Sequence, residues 1–252
     1  MEYVVIKIGG SMISPPKDHV HEGLLCKYAN VLLRIFSGNE IDKRLILIVG
    51  GGNTSRVYRD LAVKCGEDCD EDKHRIGIAA TWLNAELMRA LLSSVSYHRP
   101  LGVGVYAKDK EQGEKWVAHD FESWLAGDRP ILLGGGFITG ASTDMNAFLL
   151  ASKLGLSKIY KLTNVDHVYS KDPSLPGAQP LSRLSWDQYF DMFDVKKGTS
   201  LHAPGAHLPV DLYASELARD KQITCVFASG EDPEIISRIF EEKPITGTII
   251  HP

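Results

Sequence analysis

A chain of 252 residues, 44% of them hydrophobic, can bury one substantial core, or one core with a small appended lobe. Its formal net charge of -4, with the basic residues dispersed, offers no cationic footprint of the kind that neutralises a nucleic-acid backbone, though small anionic ligands remain open to it. No apolar run approaches the ~20 residues of a membrane-spanning helix, no basic leader precedes the first strand and four cysteines are too few for a disulfide scaffold, so one soluble cytoplasmic domain with reduced thiols is expected.

The first predicted element is a strand, Val4 to Ile8, short, β-branched and stopped by Gly9, Gly10 and Ser11. A helix with one buried face follows from His21 to Phe36, carried by Leu24, Leu25, Tyr28, Val31, Leu32 and Ile35. The second strand, Leu45 to Val49, runs into Gly50, Gly51, Gly52 and Asn53, and a helix through Val57 and Leu61 begins there. Cys65 and Cys69 bracket an acidic stretch followed by His74; this could be a metal clip, or a polar loop with two incidental thiols. A longer helix is expected over Asp72 to Leu92, then a short strand at Gly102 to Tyr106, a charged turn from Lys108 to Lys115, and a third glycine-stopped strand, Ile131 to Leu133. Ser142 or Thr143 should cap the next helix, with Asp144 in its first turn and the hydroxyl close to any bound phosphate. Beyond Lys158 the pattern predicts helices around Trp186 to Phe193 and Asp211 to Ala218, and strands at Ile223 to Phe227 and Thr248 to Ile250. Strand, glycines and helix in repeated succession predict an α/β fold with a parallel sheet.

Three strands that each end in consecutive glycines imply phosphate binding, because such turns leave backbone N–H groups free to face an anion and the helices beyond add their positive ends. The class of phosphate site is narrowed by what is missing. No G-x-x-x-x-G-K-[ST] occurs, which excludes a P-loop, and Gly9-Gly10-Ser11 lacks the third glycine of a dinucleotide fingerprint. Lys7 sits inside a strand whose neighbours Val5, Ile6 and Ile8 are all apolar, so it should be buried, and burial costs several kcal/mol unless an anion answers it.

With Lys7-Ile8-Gly9-Gly10-Ser11, Gly50-Gly51-Gly52-Asn53, Gly135-Gly136-Phe137 followed by Ser142-Thr143-Asp144, and Thr163-Asn164-Val165-Asp166-His167-Val168-Tyr169-Ser170-Lys171-Asp172-Pro173 all in order, the chain resembles the amino-acid kinase superfamily over essentially its whole length. Within it the chain is most similar to the uridylate kinases of the shorter archaeal type, on Gly50 to Arg56, Gly77 to Asn84 and Gly205 to Asp211. The resemblance implies a three-layer sandwich around a mostly parallel sheet, with an acceptor-binding lobe over 1–155 and an ATP-binding lobe over 156–252. It implies ATP and Mg²⁺, transfer to UMP, and a homo-oligomer, a hexamer built from dimers, for which the helix bearing Leu24, Leu25, Val31 and Leu32 could supply a face unless those side chains are ordinary core.

By the same resemblance Lys7 and Lys161 would bracket the transferred phosphoryl group and Asp211 would hold both lysines by ion pairing, while also capping its helix. Gly50, Gly51, Gly52, Arg56, His74, Gly136 and Thr143 would bind the acceptor, Arg56 by its fork on the phosphate. Gly9, Gly10, Ser11, Thr163, Asn164, Asp166, Tyr169 and Asp172 would bind ATP, with the amides of Gly9, Gly10, Gly51 and Gly136 as donors. Two positions depart from the family pattern. His74 stands where uridylate kinases have an aspartate that contacts the sugar, and His167 stands where relatives have a glycine, so that a positive φ there would strain the turn. Those departures keep open a kinase of the same fold with another phosphate or carboxylate acceptor, and a non-catalytic nucleotide or oxyanion binding or storage protein.

Overall fold

The computed structural model describes residues 2–16, 20–37, 42–95, 103–106, 119–193 and 208–252; the charged turn at Lys108 to Lys115 and the stretch Gly205 to His207 lie outside them. The first half runs β1 (Glu2–Ile8), α1 (Gly10–Ile13), α2 (Glu22–Phe36), β2 (Lys43–Val49), α3 (Gly52–Lys64), α4 (Asp70–Val95), β3 (Val103–Tyr106), α5 (His119–Ala126), β4 (Ile131–Gly134) and α6 (Thr143–Lys153). The second half adds β5 (Lys158–Thr163), β6 (Val168–Tyr169), β7 (Pro180–Leu181), β8 (Arg183–Ser185), α7 (Trp186–Met192), α8 (Leu212–Asp220), β9 (Thr224–Ser229), α9 (Ile235–Phe240) and β10 (Thr248–His251). Eight strands form one sheet in the order β3-β4-β2-β1-β5-β9-β10-β8, parallel throughout except where β10 meets β9, and β6 and β7 form a small antiparallel pair.

Because side chains alternate across a strand, each central strand feeds two separate cores. Val4, Ile6 and Ile8 of β1 and Leu45, Leu47 and Val49 of β2 pack with α2 and α4 on one face, whereas Val5, Ile46 and Ile48 pack with α6 on the other. The same alternation decides where the charges go. Lys7 points to the α6 side, and since β1 and β5 pair with Lys7 opposite Lys161, the second lysine points there too. Parallel register thus brings two ammonium groups side by side at the carboxyl end of the sheet, beneath the start of α6.

Leu24, Leu25, Val31 and Leu32 of α2 are buried in the first core, so those side chains are ordinary core packing. The exposed large apolar side chains include Val57, Tyr58, Leu61 and Val63 of α3 and Leu83 of α4. Among the described residues no helix is long and apolar enough to cross a membrane. Several short elements have no counterpart in the sequence reading: α1, α5, α9 and the two- or three-residue strands β6, β7 and β8 are too brief to show a period.

Candidate active site

The glycine turns after β1 and β2 are interlocked backbone to backbone. A Cβ on Gly10 would lie 2.0 Å from the amide nitrogen of Gly52, and Gly52 itself holds φ at +60°, in the left-handed region. The Gly50 amide donates to Ile8 O at 3.0 Å and its carbonyl accepts from Asn84 Nδ2 at 2.8 Å, so this glycine ties the turn to β1 and α4. It does not line the cleft, whereas Gly51 and Gly52 do.

Beside these turns lies a cleft of about 860 Å³, within the ordinary range for a small-molecule site. Lys7 and Lys161 open onto it while remaining only 7% exposed each. Between them stands Asp144, 6% exposed: Lys7 Nζ is 2.8 Å from Asp144 Oδ1, and Lys161 Nζ donates to Asp144 Oδ2. Burial alone would push the Asp144 carboxyl up, but the charges of Lys161 and Lys7 and their hydrogen bonds hold it well below the usual carboxylate range. For Lys7 the balance is opposite: burial pulls the ammonium below its ordinary value of 10.5, with Lys161 pulling the same way and Asp144 only partly restoring it.

The ion pairing expected of Asp211 is therefore made by Asp144. The N-terminus of α6 puts Asp144 there, because Ser142 caps the helix by accepting from the amides of Asp144, at 3.0 Å, and Met145, at 3.1 Å. Asp211 acts one step back: it accepts from the Ser142 hydroxyl and caps α8 through the Ala214 amide at 3.1 Å. Burial and the nearby Asp144 charge push the Asp211 carboxyl up. Asp144 was visible in the sequence only as an acidic first-turn residue, which most helices tolerate for their dipole alone.

The depressed Asp144 carboxyl has a sign in stability. The stabilisation is fully present above the unfolded-state carboxylate range, near pH 4, and is lost as pH falls through the lower folded-state value. Acid melting curves of the native chain should therefore contain a fall that Asp144→Asn lacks; parallel curves would rule out the coupling.

Two further expectations about the turns are corrected. The amide of Gly9 donates to Leu162 O at 2.7 Å and that of Gly136 to Thr81 Oγ1 at 2.7 Å, so neither faces a phosphate, although both glycines line the cleft. Gly10 and Gly51, at the starts of α1 and α3, remain for that role.

The other expected residues divide between two arms. On one side of the lysines Arg56 of α3, His74 of α4 and Thr143 of α6 line the cleft. On the other are Ser11, whose hydroxyl donates to Asn164 Oδ1 at 3.2 Å, with Thr163, Asn164, Tyr169 and Asp172. Asp166 lies outside the lining, held by the Tyr169 hydroxyl at 2.9 Å and His167 Nδ1 at 3.1 Å. His167 itself lines the cleft, and it is not strained: among the described residues the non-glycine positions with positive φ are Gln222 and Glu242. A metal clip of Cys65, Cys69 and His74 does not form; among the described residues Cys69 lies instead with Glu67 and Asp72, their donor atoms within 4.8 Å.

The profile of the Amino acid kinase family matches residues 2–229. The chain is 31% identical to the uridylate kinase of Ignicoccus hospitalis over 256 residues, covering 100% of both chains. It is also 31% identical to the uridylate kinase of Aeropyrum pernix over 235 residues, 92% of each. Among solved structures the uridylate kinase of Archaeoglobus fulgidus superposes with a TM-score of 0.71 at 27% identity, covering 99% of this chain and 100% of that one.

Proposed function

The chain belongs to the amino acid kinase family, and from that premise we propose that it transfers the γ-phosphoryl group of ATP to UMP, giving UDP and ADP. The observation that carries the reading is the pair of buried lysines, Lys7 and Lys161, bridged by Asp144 on the floor of a cleft with glycine turns on one side and Arg56 on the wall. In this reading 1–155 holds the acceptor and 156–252 the nucleotide donor, and the protein acts as a homo-oligomer.

The chemistry asked of these residues is modest. A phosphate acceptor is already ionised near neutral pH, so no general base is required, and catalysis consists of positioning and charge neutralisation. Lys7 and Lys161, held 7% exposed on neighbouring strands, supply positive charge from side chains largely withdrawn from solvent, where it is worth more than in bulk water. Asp144 spaces the two ammonium groups and raises the Lys7 value against its burial. Arg56 offers a planar fork to the acceptor phosphate, the amides of Gly10 and Gly51 point donors at phosphate oxygens, and Thr143 adds a hydroxyl. Thr163, Asn164, Tyr169 and Asp172 line the donor side. The carboxylate nearest the lysines is spent on them, so the residues fit a Mg²⁺ ion carried by the phosphates of ATP, where it would neutralise charge on their oxygens.

His74 favours one other reading, a kinase of this fold whose acceptor is not UMP, since imidazole can pair with an anion where a carboxylate would accept from a sugar hydroxyl. An ATP-consumption assay with Mg²⁺ against UMP, CMP, dUMP, AMP, GMP, isopentenyl phosphate, carbamate and N-acetylglutamate separates the two. Selective turnover of UMP is expected. Turnover of another acceptor with UMP inert would move the specificity while keeping the catalytic lysines, and ATP left intact with every acceptor would overturn the kinase reading.

A further inference from the structure

Two arginines one turn apart on α3, Arg56 and Arg59, both line the cleft, and only the first has been given a role. Among the described residues neither guanidinium has a carboxylate within ion-pair distance, whereas Arg34, Arg75, Arg89, Arg219 and Arg238 each pair with an Asp or Glu. The Arg59 side chain is partly buried, so its charge is partly desolvated without a counter-ion from the chain.

The direction of Arg59 is the informative part. Its Nε donates to the Ser55 carbonyl at 3.2 Å, which turns the side chain back along α3 toward the helix N-terminus. Ser55 in turn lies against the glycine turn, since a Cβ on Gly51 would come within 2.7 Å of Ser55 Cβ. The bare face of α4 at Gly77 lies alongside, a Cβ there falling 3.9 Å from Arg59 Cδ. With Nε spent on Ser55, the terminal N–H donors of the fork remain for a ligand. They are delivered to the level of the first turn of α3, beside Gly51 and Arg56, which also line the cleft.

We propose that Arg59 is a second acceptor-binding residue, closing with Arg56 a two-arginine clamp on the phosphate of the acceptor. The proposal rests on the phosphoryl-transfer reading above. An oxyanion with three terminal oxygens can satisfy two forks and a backbone amide together, which no single hydroxyl or carbonyl of a sugar or base can do.

The test is a double-mutant cycle, with acceptor binding measured by titration calorimetry in the absence of ATP and with steady-state kinetics alongside. Arg59→Gln should weaken UMP binding and raise its KM by ~10- to 100-fold, the range for a lost charge-assisted hydrogen bond, without moving the KM for ATP. Arg59→Lys should recover only part of the loss, because an ammonium cannot fork. The loss in the double variant with Arg56→Gln should differ from the sum of the single losses, because both forks hold one group. Unchanged acceptor affinity in Arg59→Gln, or strictly additive losses, would overturn the clamp. The cycle is run on whichever phosphate acceptor the native chain binds, so failure of UMP alone counts against the UMP assignment and not against the clamp, while a native chain that binds no phosphate acceptor overturns both.

Discussion

Lys7→Ala should lower kcat by roughly 10²- to 10³-fold, the cost of removing one charged or hydrogen-bonding group aimed at a transition state, while the melting temperature stays close to that of the native chain. The two halves of this expectation have separate causes. Lys7 lies in β1 opposite Lys161, on the face of the sheet under α6, and its ammonium reaches the cleft with only 7% of the residue exposed. Water cannot substitute for it there, so charge developing on the transferred group loses its closest answer. The fold loses less, because Asp144 keeps Lys161 as a partner and no buried charge is left alone. Burial already pulls the Lys7 ammonium below its ordinary value, a sign that its desolvation outweighs its ion pair. Lys7→Met, which keeps the volume, should behave like alanine in turnover. Normal kcat in either variant, at full ATP and acceptor, would remove Lys7 from the mechanism.

That Lys7 mattered was legible from three flanking residues, since a lysine among Val5, Ile6 and Ile8 has nowhere polar to go in a parallel sheet. The glycine turns were legible for a similar local reason. Which carboxylate answers the lysines was not, because it depends on the β1–β5 register and on how α6 lies across β1, contacts between segments more than a hundred residues apart. Asp144 and Asp211 both sit at helix starts and look alike in sequence; only packing puts one between the ammonium groups and the other behind Ser142. The turn amides show the same limit. A glycine after a strand advertises a free N–H, yet Gly9 and Gly136 give theirs to Leu162 and Thr81, partners that local pattern does not reveal. Arg59 could have been suspected from its i, i+3 relation to Arg56, though the return of its side chain toward Ser55 could not.

Asp144→Asn should be the more damaging change, because it leaves two buried lysines facing each other without their common anion. Breaking a buried pair from one side costs about 3–5 kcal/mol, so the melting temperature should fall clearly. The variant should also show stability and activity moving in opposite directions with pH. Without Asp144, the main contribution that raises the Lys7 value is gone and only the weaker pull of Asp211 remains, so desolvation and Lys161 take it further below 10.5. Between that depressed folded-state value and the ordinary unfolded-state one, the unfolded chain binds more protons, so stability rises with pH as one ammonium is neutralised. Activity needs the ammonium charged and falls over the same interval, so the alkaline limb of kcat should move to lower pH than in the native chain. Parallel melting-temperature and kcat profiles against pH, run on the native chain and on Asp144→Asn, decide the point. An unshifted alkaline limb would mean that Asp144 spaces the lysines without setting their charge. A variant as stable as the native chain would mean that the two ammonium groups have another anion within reach, and the role assigned to Asp144 would pass to it.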